Sequence, residues 1–508
     1  MLVLATLAHA APLDAADLRQ HAGLMALVDR VDELRCATPL VLSLEEHWAH
    51  LPAADRAHAT AVLAPFKADL FDPLPVNRAA GAPPPASDTC WGQMADNRIV
   101  GDHFVVEYDD GVDADDADAF LTALEYSWEK EVNDLGWNEP DGSDQYLMLA
   151  YVQNQNTGGA YTTVERCGNV YMPYIVTGKD SWRDPYWGDT MAAHEFNHAI
   201  QYSYGYSPEF WWWEATATYI EDYVYPNVNY WSAYVTGYTD HPEIAFAAYS
   251  QQDYDVFYHM YGMAIWAFYI DNYHGGHDTV QETWKNASRE SGTYTYGGND
   301  MVDDLGLDWD ESYLDFTARN TVMDYEQQRF FSDIELVDTI RSLPYSAESG
   351  RDAPQGYGQN YYKVAADAGG GDLVVSFTTE ERVDFAVQIV EADDAVLRHE
   401  YAVVEDAGEV RLEDFGDHDA WIIISPLKYT DNDTEYAYAF TARLDEGEVD
   451  PPDTDGDDTG DGLVDQGDGD TDGDVSITGP ACACNTGGQA LPALGMAATV
   501  LALARRRR

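Results

Sequence analysis

Residues 194–198 read His-Glu-Phe-Asn-His, and sixteen residues past the second His, behind three tryptophans, stands Glu214. Positions i and i+4 share one face of an α-helix, so His194 and His198 converge on a common point only if this stretch is helical. The flanks agree. Thr190, Met191, Ala192 and Ala193 are small or apolar, and Ala199, Ile200, Gln201 and Tyr202 continue the helical pattern. A break follows at residues 204–208, where Ser207 and Pro208 form an N-cap with Pro at the first helical position. That predicts a second helix over residues 209–222. Glu214 sits in it between bulky aromatics and small residues, where a carboxylate is costly to bury unless paired or metal-bound. Two imidazoles and two carboxylates are the donor set of a hydrolytic zinc site, with Zn–N distances of about 2.0–2.1 Å. Glu195 is placed to take a proton from a metal-bound water. A helix carrying two packed or surface histidines would show the same five residues; the flanking segments favour the metal.

A His-Glu-x-x-His helix, a turn, and a helix bearing Trp-x-x-Glu-Ala-x-Ala resemble the gluzincin metallopeptidases. The resemblance implies that His194, His198 and Glu214 ligate Zn²⁺ and that Glu195 is the base. Ala215 departs from the commoner Gly, which touches packing rather than chemistry. Glu221, seven residues past Glu214, is a rival ligand or a partner of the ligands. Over residues 90–445 the chain is similar to a group of secreted metalloproteases common in myxobacteria, on the strength of these two helices.

The chain has 508 residues and a formal charge of −64. Setting aside the acidic residues 446–474 and the four terminal arginines, 78 acids still face 23 bases. Such a surface repels phosphate, which disfavours nucleic-acid partners. It suits solubility in a saline setting, or surface Ca²⁺. The 35 Tyr and 14 Trp suit core packing, and in a secreted hydrolase also substrate contact.

Both ends read as sorting signals. Residues 1–10 are apolar and end Ala-His-Ala, a small-x-small cleavage pattern, with a buried N-terminal helix as the alternative. Residues 446–480 are Asp, Gly, Thr and Pro with little to bury, a disordered acidic linker. They fail the EF-hand pattern: from Asp453 the sixth position is Asp458, and from Asp468 the twelfth is Gly479. Residues 481–508 contain Cys482 and Cys484, an apolar run over 490–504 and four arginines. The run is short for a membrane span. This order resembles the C-terminal sorting domain of myxobacterial surface proteins. The resemblance implies a helix held in the inner membrane with its arginines inward, a sorting protease, and a surface anchor on Cys482 or Cys484. A plain tail anchor competes with it. Taken together, the two sorting ends place the protein outside the cytoplasm, at the cell surface or outer membrane or extracellular.

Cys36, Cys90 and Cys167 remain. An exported chain permits one bridge and leaves one thiol, and a bridge using Cys90 is the preferred choice. Residues 14–75 carry helical periodicity, with a second helix starting at Ser43 because Glu45 and Glu46 would lie in its first turn. They are either a pro-segment that covers the site until export or an integral subdomain. Residues 76–97 are a linker.

Residues 98–345 read as an α+β, zincin-like domain: strands over 102–108, 145–153, 158–164 and 170–176, a helix over 113–135, and helices after the motif. The segment with Gly159, Ala160 and Tyr161 is the candidate edge strand for an extended substrate. Residues 226–345 look mostly helical, and within them the apolar, aromatic stretch 254–273 offers Tyr258, His259 and Tyr261 as oxyanion donors. Tyr261 is preferred because such a Tyr follows the metal segment in related enzymes. Residues 355–445 switch to period two, seven strands of a β-sandwich. The expected function is a cell-surface zinc endopeptidase acting on protein or peptide. The alternative is a non-catalytic adhesin or display protein on the same scaffold.

Overall fold

The computed structural model describes residues 15–31, 36–64, 67, 70–71, 88–155, 159–205, 209–249, 253–290, 305–430 and 433–445. All belong to the first of two compact units, Met1–Val449. The signal at 1–10, the linker at 446–480 and the sorting segment with Cys482 and Cys484 lie outside the described residues, as do Ser207 and Pro208. No helix among the described residues is long and apolar enough to cross a membrane.

The chain is mixed α and β. Its first sheet has five strands: β1 (Asn97–Val100), β2 (Phe104–Tyr108), β3 (Met148–Gln153), β4 (Ala160–Cys167) and β5 (Val170–Gly178), in the order β1-β2-β3-β5-β4. β2, β3 and β5 run parallel, while β1 and β4 are antiparallel edges. Every residue of β3 is buried, which is why it reads as a continuous apolar run. Helix α4 (Ala114–Trp128), capped by Asp113 on the Asp115 amide, buries Phe120, Leu121 and Leu124. Its expected continuation to 135 is instead a π-helical turn, Glu129–Asp134. Helices α5 (Pro185–Tyr204) and α6 (Phe210–Val224) carry the metal motif, and α5 packs on α4, α6, β4 and β5.

The N-terminal segment forms α1 (Ala15–Val28), α2 (Thr38–His47) and α3 (Ala53–Leu63). The expected helix start at Ser43 is wrong. Pro39 near the N-terminus of α2 is the effective start signal, and Glu45 and Glu46 fall in its last turn. The apolar stretch 254–273 is helical and forms two helices, α8 (Tyr254–Gly262) and α9 (Ala264–Tyr273), after α7 (Trp231–Thr239). A Cβ on Gly237 would meet the Tyr258 carbonyl at 2.2 Å, and one on Gly262 the Tyr238 amide at 2.4 Å. The two glycines let α7 and α8 touch backbone to backbone. Helices α10 (His277–Glu290) and α11 (Trp309–Arg319) complete the helical part.

The remaining strands are β6 (Asp338–Ile340), β7 (Tyr345–Glu348), β8 (Asn360–Val364), β9 (Gly371–Thr378), β10 (Phe385–Ala392), β11 (Val396–Val404), β12 (Ala407–Phe415), β13 (Ala420–Pro426) and β14 (Ala439–Asp445). They form two sheets, β11-β10-β13-β8-β6 and β12-β9-β14-β7. The seven expected strands are joined by β6 and β7, too short for a period-two signal. Both sheets face one apolar cluster that includes Leu373, Ile389, Ile422 and Phe440. Side chains alternate along a strand, so Ile422 and Ile424 of β13 enter this cluster while Trp421 and Ile423 join the main core.

Candidate metal centre

Asp184 caps α5 on the Tyr186 amide, with Pro185 in its first turn, and Gly205 (φ 114°) ends it. Met191, Ala192, Phe196, Ala199 and Ile200 lock the helix into the core, which fixes where His194 and His198 point. Helix α6 starts at Phe210 with Glu209 at the cap position, and brings Glu214 and Glu221 against α5.

Glu214 Oε2 lies 3.2 Å from His194 Nε2, and its Oε1 lies 3.3 Å from His198 Nε2. The outward nitrogens are both engaged. His194 Nδ1 lies 3.0 Å from Glu221 Oε1, and His198 Nδ1 lies 2.7 Å from Gln201 Oε1. The two N–H groups of the Gln201 amide face three acceptors, Asn197 Oδ1, the Trp213 carbonyl and Thr216 Oγ1, at 2.8–3.0 Å. Its oxygen must therefore accept, which places the His198 proton on Nδ1. With Nδ1 of both rings engaged outward, the two Nε2 atoms and a carboxylate converge on one point. A cluster of this composition could hold a metal ion at its centre. Burial works against a charged His194, yet hydrogen bonds to Glu214 and Glu221 hold it up to about 9. Burial likewise opposes an ionised Glu214, yet His198 and His194 hold it down to about 2.

Glu195 Oε2 accepts from Thr162 Oγ1 at 2.8 Å and from Thr38 Oγ1 at 3.2 Å. Its Oε1 is buried with no hydrogen-bond partner. Beneath α5, Asn197 donates to Glu131 Oε2 at 3.0 Å. Burial pushes Glu131 well above the usual carboxylate range, against the pull of Asn197 and His194.

Cys36 completes a group of four. One donor atom each from Cys36, His194, His198 and Glu214 lie within 4.8 Å of one another, so this buried set could hold a metal ion. Cys36 Sγ is 3.5 Å from His198 Nε2 and 3.9 Å from Glu214 Oε1. Burial, then Glu195 and Glu214, push its thiol up. The bridge forms between Cys90 and Cys167, with Cα atoms 6.0 Å apart, and leaves Cys36 free.

Of the oxyanion candidates, Tyr261 reaches the centre. Its ring stacks on His194 at 6.1 Å and its hydroxyl donates to the Cys36 carbonyl at 3.3 Å. Tyr258 stacks on Tyr234. His259 packs edge-on against Tyr238, with neither ring nitrogen hydrogen-bonded. Ala160 and Tyr161 lie on the edge strand β4, which runs to Cys167, and Gly159 just precedes it. That edge is covered: the Ala37 amide donates to the Ala160 carbonyl at 2.7 Å, and Tyr161 to the Leu63 carbonyl at 2.6 Å. Asp222 stays outside the centre, accepting from Trp231. Cys36, Thr38, Thr162 and Gln201 were not foreseen. Gln201, three residues past His198 on the same helical face, is the one whose position in sequence signals it.

The model of a family of unknown function, DUF6055, matches residues 102–422, more than half of the chain. No curated protein matches significantly. Among solved structures, the Yersinia pseudotuberculosis-derived mitogen is 14% identical, with 21% of this chain and 92% of that one covered and a TM-score of 0.16. The pre-peptidase C-terminal domain of a collagenase from Bacillus anthracis is 9% identical, covering 22% and 100%, again with a TM-score of 0.16. Likenesses this slight carry no argument about fold or function.

Proposed function

This chain belongs to DUF6055, a family of unknown function, and we propose that it is a zinc-dependent endopeptidase of gluzincin type, exported and held at the cell surface. The observation that carries the reading is the convergence of His194 Nε2, His198 Nε2 and Glu214 at 3.2–3.3 Å with Glu195 alongside. In this reading the five-stranded sheet with α5 and α6 is a zincin-like domain, and the two later sheets form a β-sandwich attached to it. Zn²⁺ held by His194, His198 and Glu214 supplies Lewis acidity toward a peptide carbonyl and acidifies water. Glu221 and Gln201 fix the imidazoles that hold it. Glu195, oriented by Thr162, accepts the proton of the attacking water and returns it to the leaving amine. Tyr261 is the donor nearest to a developing oxyanion. The edge of β4 is the rail for an extended protein or peptide substrate. Export draws on the Cys90–Cys167 disulfide and on the terminal sequences, with Cys482 or Cys484 as the site of anchorage after a sorting protease has cut. The acidic surface leaves room for Ca²⁺.

One observation favours a second reading, a non-catalytic surface protein with a structural ion: all four donors are buried and form a closed set, as structural sites do. Metal analysis and casein hydrolysis on protein freed of its N-terminal segment separate the two. The peptidase reading requires one zinc per chain and hydrolysis that Glu195→Gln abolishes. Absence of zinc, or hydrolysis unaffected by Glu195→Gln, contradicts it.

A further inference from the structure

We infer that Cys36 is the fourth protein ligand of the metal centre, and that residues 36–38, laid on the edge of β4, close the centre with the chain's own N-terminal segment. The inference rests on the reading of His194, His198 and Glu214 as metal ligands.

Three observations combine. The Cys36 sulfur lies 3.5 Å from His198 Nε2 and 3.9 Å from Glu214 Oε1, within the same 4.8 Å group. A thiol among two imidazoles and a carboxylate completes the four donors that a tetrahedral ion takes.

Second, the segment is held as a strand is held. Cys36 pairs with Ala160 in a parallel bridge, the Ala37 amide donates to the Ala160 carbonyl at 2.7 Å, and the Thr162 amide donates to Thr38 Oγ1 at 2.7 Å. An extended peptide on an open sheet edge would use these same groups of β4. The Tyr261 hydroxyl, 3.3 Å from the Cys36 carbonyl, holds a peptide oxygen beside the centre.

Third, the base is occupied and sealed. Thr38 Oγ1 donates to Glu195 Oε2 at 3.2 Å, while Glu195 Oε1 is buried without a partner. Glu195, His198 and Glu214 are 0% exposed with the segment in place. Helix α2 fastens it from behind. Leu40, Val41 and Leu44 are buried, and the Tyr249 hydroxyl meets Ser43 Oγ at 2.8 Å and the Pro39 carbonyl at 3.0 Å. Opening requires no redox step. The metal–sulfur bond breaks, the thiolate takes one proton from solvent, and the fourth position is left to solvent.

The experiment uses the full chain with Cys482→Ser and Cys484→Ser, so that Cys36 is the one thiol outside the Cys90–Cys167 bridge, loaded with Co²⁺. We expect a near-ultraviolet thiolate-to-cobalt band. Adding Cys36→Ala should remove it and weaken cobalt affinity by at least the roughly 10–100-fold that changes around metal ligands cost. Cobalt bound without the band, or the same band after Cys36→Ala, overturns the inference and leaves the peptidase reading standing. A band that depends on Cys36 supports the fourth ligand whether or not Cys36→Ala hydrolyses peptide, because Thr38 still occupies Glu195 in that variant; the peptidase reading falls only if protein freed of its N-terminal segment is inactive as well. Should Cys36→Ala not fold, the parent protein decides by itself, because no other thiol can produce the band.

Discussion

Around Glu214, five ionisable side chains (His194, Glu195, His198, Glu214 and Glu221) lie at 0–1% exposure. Around Ile422, at 0% exposure, the neighbours in the second core are mainly aliphatic and aromatic. The two regions are equally dry and differ in what holds them. The second core follows from transfer of apolar surface out of water, a non-directional term that tolerates sequence change while volume is kept. The centre must match every donor to an acceptor, because unpaired charge in such a place costs several kcal/mol. Its specificity lies in the Gln201 and Glu221 contacts that orient two imidazoles.

Three substitutions sharpen the contrast. Glu195→Gln should lower kcat by about 10²–10⁴-fold in protein freed of residues 1–75, with metal content unchanged by mass spectrometry; metal lost along with activity would make Glu195 a ligand instead. Ile422→Ala should cost about 2–5 kcal/mol in denaturant unfolding and leave metal affinity as it was. Glu221→Gln, which keeps the shape and removes the charge beside His194, should weaken metal binding roughly 10–100-fold with a much smaller change in folding stability. If Ile422→Ala moved metal affinity more than Glu221→Gln, the two regions would not be separable in this way.

A further effect concerns pH. Burial, reinforced by His241, holds His259 down to about 3, so it stays neutral in the folded chain. The unfolded chain protonates it below its ordinary value of about 6.5. Between about 6.5 and 3 the unfolded state binds the extra proton, and stability falls as pH falls, by at most about 1.4 kcal/mol per pH unit. His259→Phe should flatten that acid slope in unfolding measured from pH 7 to 4, and leave stability at neutral pH nearly unchanged. An unaltered slope would mean that His259 is not the neutral buried group described.

The contrast also explains what the sequence made legible. The second core could be read because alternation is local: each strand from β8 to β14 carries its own pattern, and only β6 and β7, three and four residues long, are too short to show one. The α5–α6 pair could be read because His194 and His198 lie at helical spacing and Glu214 lies on the next element. Cys36 could not. It lies 162 residues from His198, and nothing in its neighbourhood distinguishes a metal-facing thiol from one half of a bridge. Thr38 and Thr162 are ordinary residues whose role comes from the meeting of α2 with β4. The break between α8 and α9 escaped for a similar reason: Gly262 looks like a tolerated helical glycine until Tyr238 is brought against it.

The central claim is that His194, His198 and Glu214 hold one zinc. The direct test is metal content per chain in the purified protein, set beside Glu214→Ala and Glu195→Gln. The account predicts one zinc in the parent and in Glu195→Gln, and almost none in Glu214→Ala. A parent without zinc, or a Glu214→Ala protein that keeps it, would contradict it.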